Sequence, residues 1–493
     1  MLTIEQMVEA TETFSGKSDD LDWFINNNET LLVGGKKDLV KNDKELQTFT
    51  ETSCMLCHPD RAFHTLLNEI INEDSYKAVL PGIETVEQLI KRLIYNRPLV
   101  FSGELDYTKT INGKYWFNDY DPLLNNSGAD NYDLKYQLVA LGALMGCCSL
   151  TPIVNSGNKE SRENFNLLRE KKFFKNDQNY NTTSYVCGLV GSRFEKEKKM
   201  ERAYITEEEN PDNGFIYRKL REYFETRFNI NKSKYKYNFE GKKKNLYRER
   251  IRFTFELFLH QCYSIFLKTG TPICPVFTGL GGGVWKDASG IAKEVIYEIF
   301  EDSILSILTD NLEAYKKAFP GIRLSGMSSY KDMNSFDDTD TECIPGISNV
   351  FNDKYTKQYN TLMNSGLEIF HNHYSGPEKG KHYGKFSFLN TDHLNKMLET
   401  RGWMDMEAKE AFLFAWDGNS FVGNEYWIKD YAGSMDPVII TACSLAQLCN
   451  PFINKGMLTR IEPPTTAHTR EELVRGMGDD RLGMIKFGDN YKV

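Results

Sequence analysis

A chain of 493 residues with 40% hydrophobic, 13% aromatic and 26% charged residues can bury a substantial core, which excludes a mostly disordered protein. Its length allows about three domain-sized units, or one elaborated domain with an accessory. A formal net charge of -9 argues against nucleic acid as the partner, because such domains are expected to be basic; an anionic small ligand held by backbone N–H groups remains compatible with it.

The first residues, MLTIEQMVEATETFSGK, alternate apolar and acidic side chains and lack the basic start and apolar run of a secretory signal. No stretch approaches the ~18 to 20 apolar residues of a membrane span. The longest apolar segment, 138–154, is broken by glycines and Pro152 and reads as buried helix and strand. The ten cysteines have no disulfide-like spacing, and Cys147, Cys148, Cys187, Cys262, Cys443 and Cys449 lie in apolar runs. They are expected to be reduced core residues of a cytoplasmic protein, or of an effector delivered to a host cytosol. No membrane partner is expected.

Up to residue 130 the pattern is mainly helical. Segments 60–71 and 85–94 carry apolar residues at i, i+3 and i+4. Residues 1–130 are therefore read as a mainly helical accessory region, and 131–493 as the principal domain with insertions. Cys54-Met-Leu-Cys57-His58 fits a haem-attachment pattern and, with His64, imitates half a zinc site. Haem attachment needs an export route, and a zinc site needs a more regular second half, so a helix with two buried thiols is expected instead.

From Tyr136 onward, short β-like runs alternate with helical ones. Residues 185–191 and 272–277 read as strands, and 215–228, 250–267 and 291–308 as helices, the second of them amphipathic. The Tyr-studded basic stretch 232–250 is expected to be a solvated face, or to meet an acidic patch on a partner. A long polar loop follows at 328–357. His371, His373 and His382 are assigned to a solvated Gly/Lys-rich loop. A strand at 411–416, a polar loop at 417–437 and an apolar helix at 438–448 close the pattern. The alternation predicts an α/β fold with a mixed or parallel sheet.

Between strand 272–277 and helix 291–308 lies Thr278-Gly279-Leu280-Gly281-Gly282-Gly283-Val284-Trp285-Lys286. Clustered glycines free the backbone for close approach, and successive N–H groups between a strand and a helix can converge on a diphosphate. Three familiar nucleotide loops do not fit. The dinucleotide fingerprint needs glycine where Val284 stands, and the P-loop needs Gly-Lys-Ser/Thr where Lys286 stands between Trp285 and Asp287. The kinase loop would be followed by catalytic signatures that are missing here. The plain alternative is a tight turn whose glycines serve packing.

A second concentration of polar groups follows strand 411–416: Asp417, Asn419, Ser420, Asn424 and Glu425, with Asp436 before the apolar helix. Ligand sites of α/β folds lie at such strand ends. Three carboxylates can divide the breaking of a glycosidic bond, one activating water, one serving the leaving group and one orienting its neighbours. Paired carboxylates also grip a guanidinium. Asp417 before glycine and Asp436 before proline are equally readable as turn and cap residues.

Taken together, Gly191-Ser-Arg-Phe-Glu-Lys-Glu-Lys-Lys-Met-Glu201, Thr278–Lys286, Ala415–Trp427 and Ser434-Met-Asp-Pro437 resemble the macrodomain-like ADP-ribosyl-arginine hydrolase family related to the bacterial effector MavL, which acts on ubiquitin. The resemblance covers about residues 140–455. It implies a macrodomain-like mixed sheet flanked by helices and an ADP-ribose cleft in residues 131–493. Thr278 to Trp285 would hold the diphosphate, with Asn419, Ser420 and Asn424 also binding the ligand. Asp417, Glu425 and Asp436 would surround the distal ribose as catalytic residues. The family's hydrolases carry aspartates at these positions, whereas position 425 here is glutamate. The triple glycine is also similar to that of poly(ADP-ribose) glycohydrolases, but their paired glutamates are replaced by Asp287-Ala-Ser-Gly.

The expected activity is removal of ADP-ribose from modified protein, at arginine, with ubiquitin as the substrate protein that the resemblance suggests. No cofactor or metal is called for. The expected partners are ADP-ribose and ADP-ribosylated protein. The alternatives are a non-catalytic ADP-ribose reader and an interaction protein whose glycine loop is structural.

Overall fold

A computed structural model describes residues 54–80, 82–95, 100–102, 107–109, 131–151, 184–194, 197–207, 214–232, 241–280, 289–325, five residues between 358 and 365, and segments 367–372, 409–415 and 461–462. Ten strands are described: β1 (Cys54–Leu56), β2 (Val100–Ser102), β3 (Tyr107–Lys109), β4 (Gly146–Thr151), β5 (Ser184–Leu189), β6 (Ile273–Thr278), β7 (Gly321–Ser325), β8 (Glu368–Asn372), β9 (Lys409–Ala415) and β10 (Ile461–Glu462). The helices are α1 (Arg61–Asn72), α2 (Asp74–Val79), α3 (Val86–Tyr95), α4 (Asn131–Gly142), α5 (Phe215–Lys232), α6 (Lys242–Thr269), α7 (Lys293–Asp310) and α8 (Leu312–Ala318), with a π-helix at Arg202–Thr206.

Eight strands form one mixed sheet in the order β10-β1-β4-β5-β9-β6-β7-β8, and β2 and β3 form a separate pair. β4 is antiparallel to β1 and β5, while β5, β9, β6, β7 and β8 are mutually parallel. Helices flank this sheet, as the alternating sequence pattern predicts. Before the boundary at residue 130, which lies outside the described residues, β1 already belongs to this sheet and α1 packs on α5. Among the described residues, no helix is long and apolar enough to cross a membrane.

The Cys54–Cys57 segment departs from its expected helical form. Cys54-Met55-Leu56 is a buried strand, and both thiols are buried beside it. A four-residue apolar run does not by itself distinguish strand from helix. What decides it is Asp60, whose carboxylate accepts the Ala62 N–H at 2.9 Å and so starts α1 at Arg61. The seven described cysteines are buried thiols that form no disulfide with one another. His371 lies in β8, not in a loop, because Leu367 and Ile369 alternate into the core. The loop 328–357, His373, His382 and the helix expected at 438–448 lie outside the described residues.

α6 organises the layer above the sheet. The amphipathic expectation for it is overturned: every residue from Leu246 to Leu267 is buried. The basic stretch is corrected with it. Lys242 and Lys243 are exposed, but Arg248, Arg250 and Arg252 are among the largest fully buried side chains. A helix surrounded by protein carries charges only where internal partners neutralise them. Arg248 and Arg252, one turn apart, face α7. There Arg248 Nε donates to Asp302 at 2.5 Å, and Arg252 donates to Ser306 and, at 3.0 Å, to Asp310. Those three acceptors recur every fourth residue on α7, so two helix faces meet in register. Arg250, about 200° round the helix from either neighbour, points to the other side.

One turn further along α6, Glu256 joins a second buried network. It pairs with Arg252 at 2.8 Å and with Arg227 of α5. Arg227 also donates to Asp60 at 2.7 Å, and the Tyr223 hydroxyl donates to the same carboxylate oxygen at 2.7 Å. His58 Nδ1 accepts the Asp60 N–H at 3.1 Å, which leaves Nε2 to donate to Glu256 at 3.3 Å. This neutral tautomer satisfies both ring nitrogens, and the ring stacks on Phe253 at 4.2 Å. Burial lowers the His58 pKa, and Arg227 adds to that against the pull of Glu256. Burial likewise holds His260 well below its ordinary value. Burial works against the Glu256 charge, but Arg227, Arg252 and His58 outweigh it and keep the carboxyl well below the usual range.

A histidine whose folded pKa is lowered stays neutral while the unfolded chain takes up a proton, so stability is present above the unfolded pKa and lost as pH falls. Urea unfolding is expected to show stability decreasing as pH drops below 6.5, the ordinary histidine value, by up to about 1.4 kcal/mol per pH unit for each histidine. His58→Gln should remove one proton from that slope, and a flat profile between pH 7.5 and 5.5 would contradict the assignment. Glu256→Ala leaves Arg227 and Arg252 short of a buried partner, and is expected to destabilise the fold by about 3 to 5 kcal/mol at pH 7 in the same assay.

Candidate functional site

The five parallel strands end level along one edge of the sheet. Leu189 pairs with Ala415, Thr278 with Ser325, and Ser325 with Asn372. β9 lies between β5 and β6, hydrogen-bonded to both. Three segments separated in the sequence therefore leave neighbouring strand ends: Val190–Phe194 after β5, the segment beginning at Trp416 after β9, and Gly279 onward after β6. Ligands of α/β sheets bind outside such carboxyl ends.

β6 enters the glycine segment on a fixed path. Phe277 is held between Phe255 and Phe258 of α6, each edge-on with ring centroids 5.1 Å away. Leu280 is fully buried. Gly279 is needed for close packing: a Cβ there would meet Phe300 of α7 at 3.3 Å, tighter than most side-chain contacts. Past the loop, Ser289 Oγ accepts the Ile291 N–H at 3.1 Å, and Gly290 takes a φ of +69° that a side chain would resist. α7 then begins at Lys293, two residues later than the apolar pattern suggests, and no side chain caps its first turn. Amides at such a helix start are available to an anion.

Of the residues singled out from sequence, Thr278, Gly279 and Leu280 are described, the first by its backbone alone. Gly281, Gly282, Gly283, Val284, Trp285, Asp417, Asn419, Ser420, Asn424, Glu425 and Asp436 lie outside the described residues. The described strands nonetheless bring the starts of both segments together, since β9, which leads to Asp417, is hydrogen-bonded to β6, which leads to the glycines.

The third segment contains groups that sequence reasoning left without a role. Arg250 of α6 donates from Nε to Glu201 at 3.0 Å and from Nη2 to the Val190 carbonyl at 3.1 Å. Glu201 accepts the Arg193 N–H at 3.0 Å on its other oxygen, and the Tyr204 hydroxyl at 3.2 Å. Both charged side chains are fully buried. One ion pair thus grips the chain on each side of Gly191-Ser192. Beyond it, Lys198 and Met200 adopt positive φ values of 58° and 51°, unusual for residues with side chains, and lead into the π-helix. The sequence hid this pair, because Glu201 follows Glu195-Lys-Glu-Lys-Lys199 and Arg250 stands among Arg248, Glu249 and Arg252, both of which read as solvated charge.

The chain is similar to known proteins over several of these segments. A family model described as ADP-ribosylhydrolase MavL-like matches residues 71–215 and 401–462. Those stretches contain the Gly191–Glu201 segment, β9 and the proposed carboxylates, and they flank the region that holds the glycine loop. An ADP-ribosylarginine hydrolase of Drosophila melanogaster is 22% identical over 402 residues, spanning 75% of this chain and 68% of that protein. With the starts of these segments meeting at one end of a mixed α/β sheet, the chain is similar to the MavL-like ADP-ribosylhydrolases, and both similarities support hydrolysis of an ADP-ribosyl linkage as its reaction.

Proposed function

We propose that this hydrolase removes ADP-ribose from arginine side chains of modified proteins, using a cleft at the carboxyl end of β5, β9 and β6. The observation that carries the reading is the position of β9 between the other two strands. It starts the carboxylate segment one strand spacing from the glycine loop, about 4.8 Å, which suits one extended ligand spanning both. The name of the Drosophila relative supports arginine as the linkage.

In this reading the glycine segment 279–283 and the amides leading to α7 hold the diphosphate. Asp417, Glu425 and Asp436 surround the distal ribose. One carboxylate takes a proton from water as its oxygen attacks C1″, while the C1″–N bond to the guanidinium breaks. A second carboxylate stabilises the oxocarbenium-like transition state; the bonding pair stays on the guanidine nitrogen, which takes up the proton that the first carboxylate removed from water, and arginine leaves as its guanidinium with the carboxylate regenerated. Glu425 is assigned to the ribose or the guanidinium, where bidentate hydrogen bonding favours a carboxylate.

Arginine-ADP-ribosylated protein, with modified ubiquitin as one of the substrates, tests this directly. The native chain is expected to release free ADP-ribose, and Asp417→Ala and Asp436→Ala to reduce the rate at least about a hundredfold. Absence of release by the native chain, or release by both variants at the native rate, would sink the arginine reading. Tight ADP-ribose binding without turnover would indicate a reader instead.

A further inference from the structure

The turn after β5 presents a side chain that the proposed hydrolysis leaves unused. Ser192 is fully buried, and its Oγ has no hydrogen-bond partner among the described residues. A hydroxyl in that state is costly to keep, and burial removes bulk water as its partner. Its backbone is held firmly. Arg250 fixes the carbonyl of Val190 and Glu201 fixes the N–H of Arg193, so the two residues between them have little freedom.

The chain just beyond is maintained in unfavourable conformations by its own contacts. Met200 N–H donates to the Tyr217 hydroxyl at 3.0 Å, and Lys198 N–H to Glu207 at 2.8 Å, across the two positive-φ residues. Strain sustained in this way, followed by a π-helix, is characteristic of binding and catalytic segments. Ser192 stands three residues past Leu189, whose partner Ala415 is two residues before Asp417.

We infer that Ser192 is a ligand-binding residue whose hydroxyl donates a hydrogen bond to an oxygen of the distal ribose of ADP-ribose, on a turn positioned by the Glu201–Arg250 pair. The inference rests on the reading of this sheet edge as an ADP-ribose cleft. The ribose is preferred over the diphosphate because β9 separates β5 from β6. Two strand spacings place the Ser192 turn roughly 10 Å from the start of the glycine loop, beyond reach of a diphosphate held there. Ser192 contributes binding, and the proposed proton transfers stay with the carboxylates.

Ser192→Ala separates this role from a structural one. Deleting a hydroxyl that has no protein partner should leave the melting temperature of the unliganded protein unchanged or higher. Calorimetric titration is expected to show affinity for ADP-ribose reduced about tenfold, the effect of one lost hydrogen bond, with affinity for ADP unchanged. A lower melting temperature, undiminished ADP-ribose affinity, or equal losses for ADP and ADP-ribose would each overturn the assignment. If the native chain binds neither compound, the cleft reading itself fails, which is a different result. Glu201→Gln keeps an acceptor for the Arg193 N–H. It is expected to raise KM for arginine-ADP-ribosylated protein several-fold with little change in kcat. A fall in kcat with KM unchanged would remove the positioning role.

Discussion

Three arginines on one buried helix set the terms for the rest of this structure. Arg248, Arg250 and Arg252 leave α6 in two directions and bring their charges into places where water does not reach. Each must therefore be met by carboxylates carried on other elements, and those requirements fix where the elements go. Asp302 and Asp310 align α7 along one side, while Glu201 draws the segment after β5 against the other. Glu256 and Arg227 extend the same logic to α5 and to the beginning of α1. Hydrophobic burial supplies the larger driving force, but it is non-directional. The ion pairs select among packings that would bury similar area.

The choice of charge over apolar contact has a consequence for function. Buried ion pairs are poor sources of net stability, since desolvation offsets much of their attraction. Their value here lies in geometry. Arg250 contacts a carboxylate and a backbone carbonyl with separate nitrogens, and Glu201 uses separate oxygens for Arg250 and for the N–H of Arg193. An apolar substitute could fill the volume but would not specify the path of the Val190–Arg193 backbone. Substrate-positioning elements have to be held to within a fraction of an ångström of the productive arrangement. A clamp of this kind does so without relying on the loops themselves.

Much of this architecture could be read from local sequence pattern, and what escaped was non-local. The strands at Ser184–Leu189, Ile273–Thr278 and Lys409–Ala415 and the helices at Phe215–Lys232 and Lys293–Asp310 follow from periodicity and from the glycines between them. The order of the sheet does not, because β9 inserts between β5 and β6 from far along the chain. The basic stretch misled for a related reason. Charge usually marks a solvated face, and Lys242 and Lys243 obey that rule. Arg248 to Arg252 break it only because Glu201, Asp302 and Asp310 arrive from elsewhere. Gly279 was legible as a special position, yet the reason visible in the fold is Phe300 pressing against it. At Cys54–Cys57 the apolar run was too short to declare its period, and the cap at Asp60 decided the matter.

The two sides of the proposed cleft are built on different principles. On the β6 side, rigidity comes from aromatic packing: Phe255, Phe258 and Phe300 surround the last turn of chain before the glycines. In the proposed reading the backbone amides beyond it hold the diphosphate, a task that needs many donors but little discrimination. On the β5 side, rigidity comes from charge and hydrogen bonds, and the backbone they hold is strained. Recognising a sugar and its leaving group is a more exacting task than holding a diphosphate, since it depends on single hydroxyls at fixed positions. A site that spends its strain and its buried charges there places its strictest geometry where bond cleavage is proposed, and its more permissive geometry where the ligand is merely anchored.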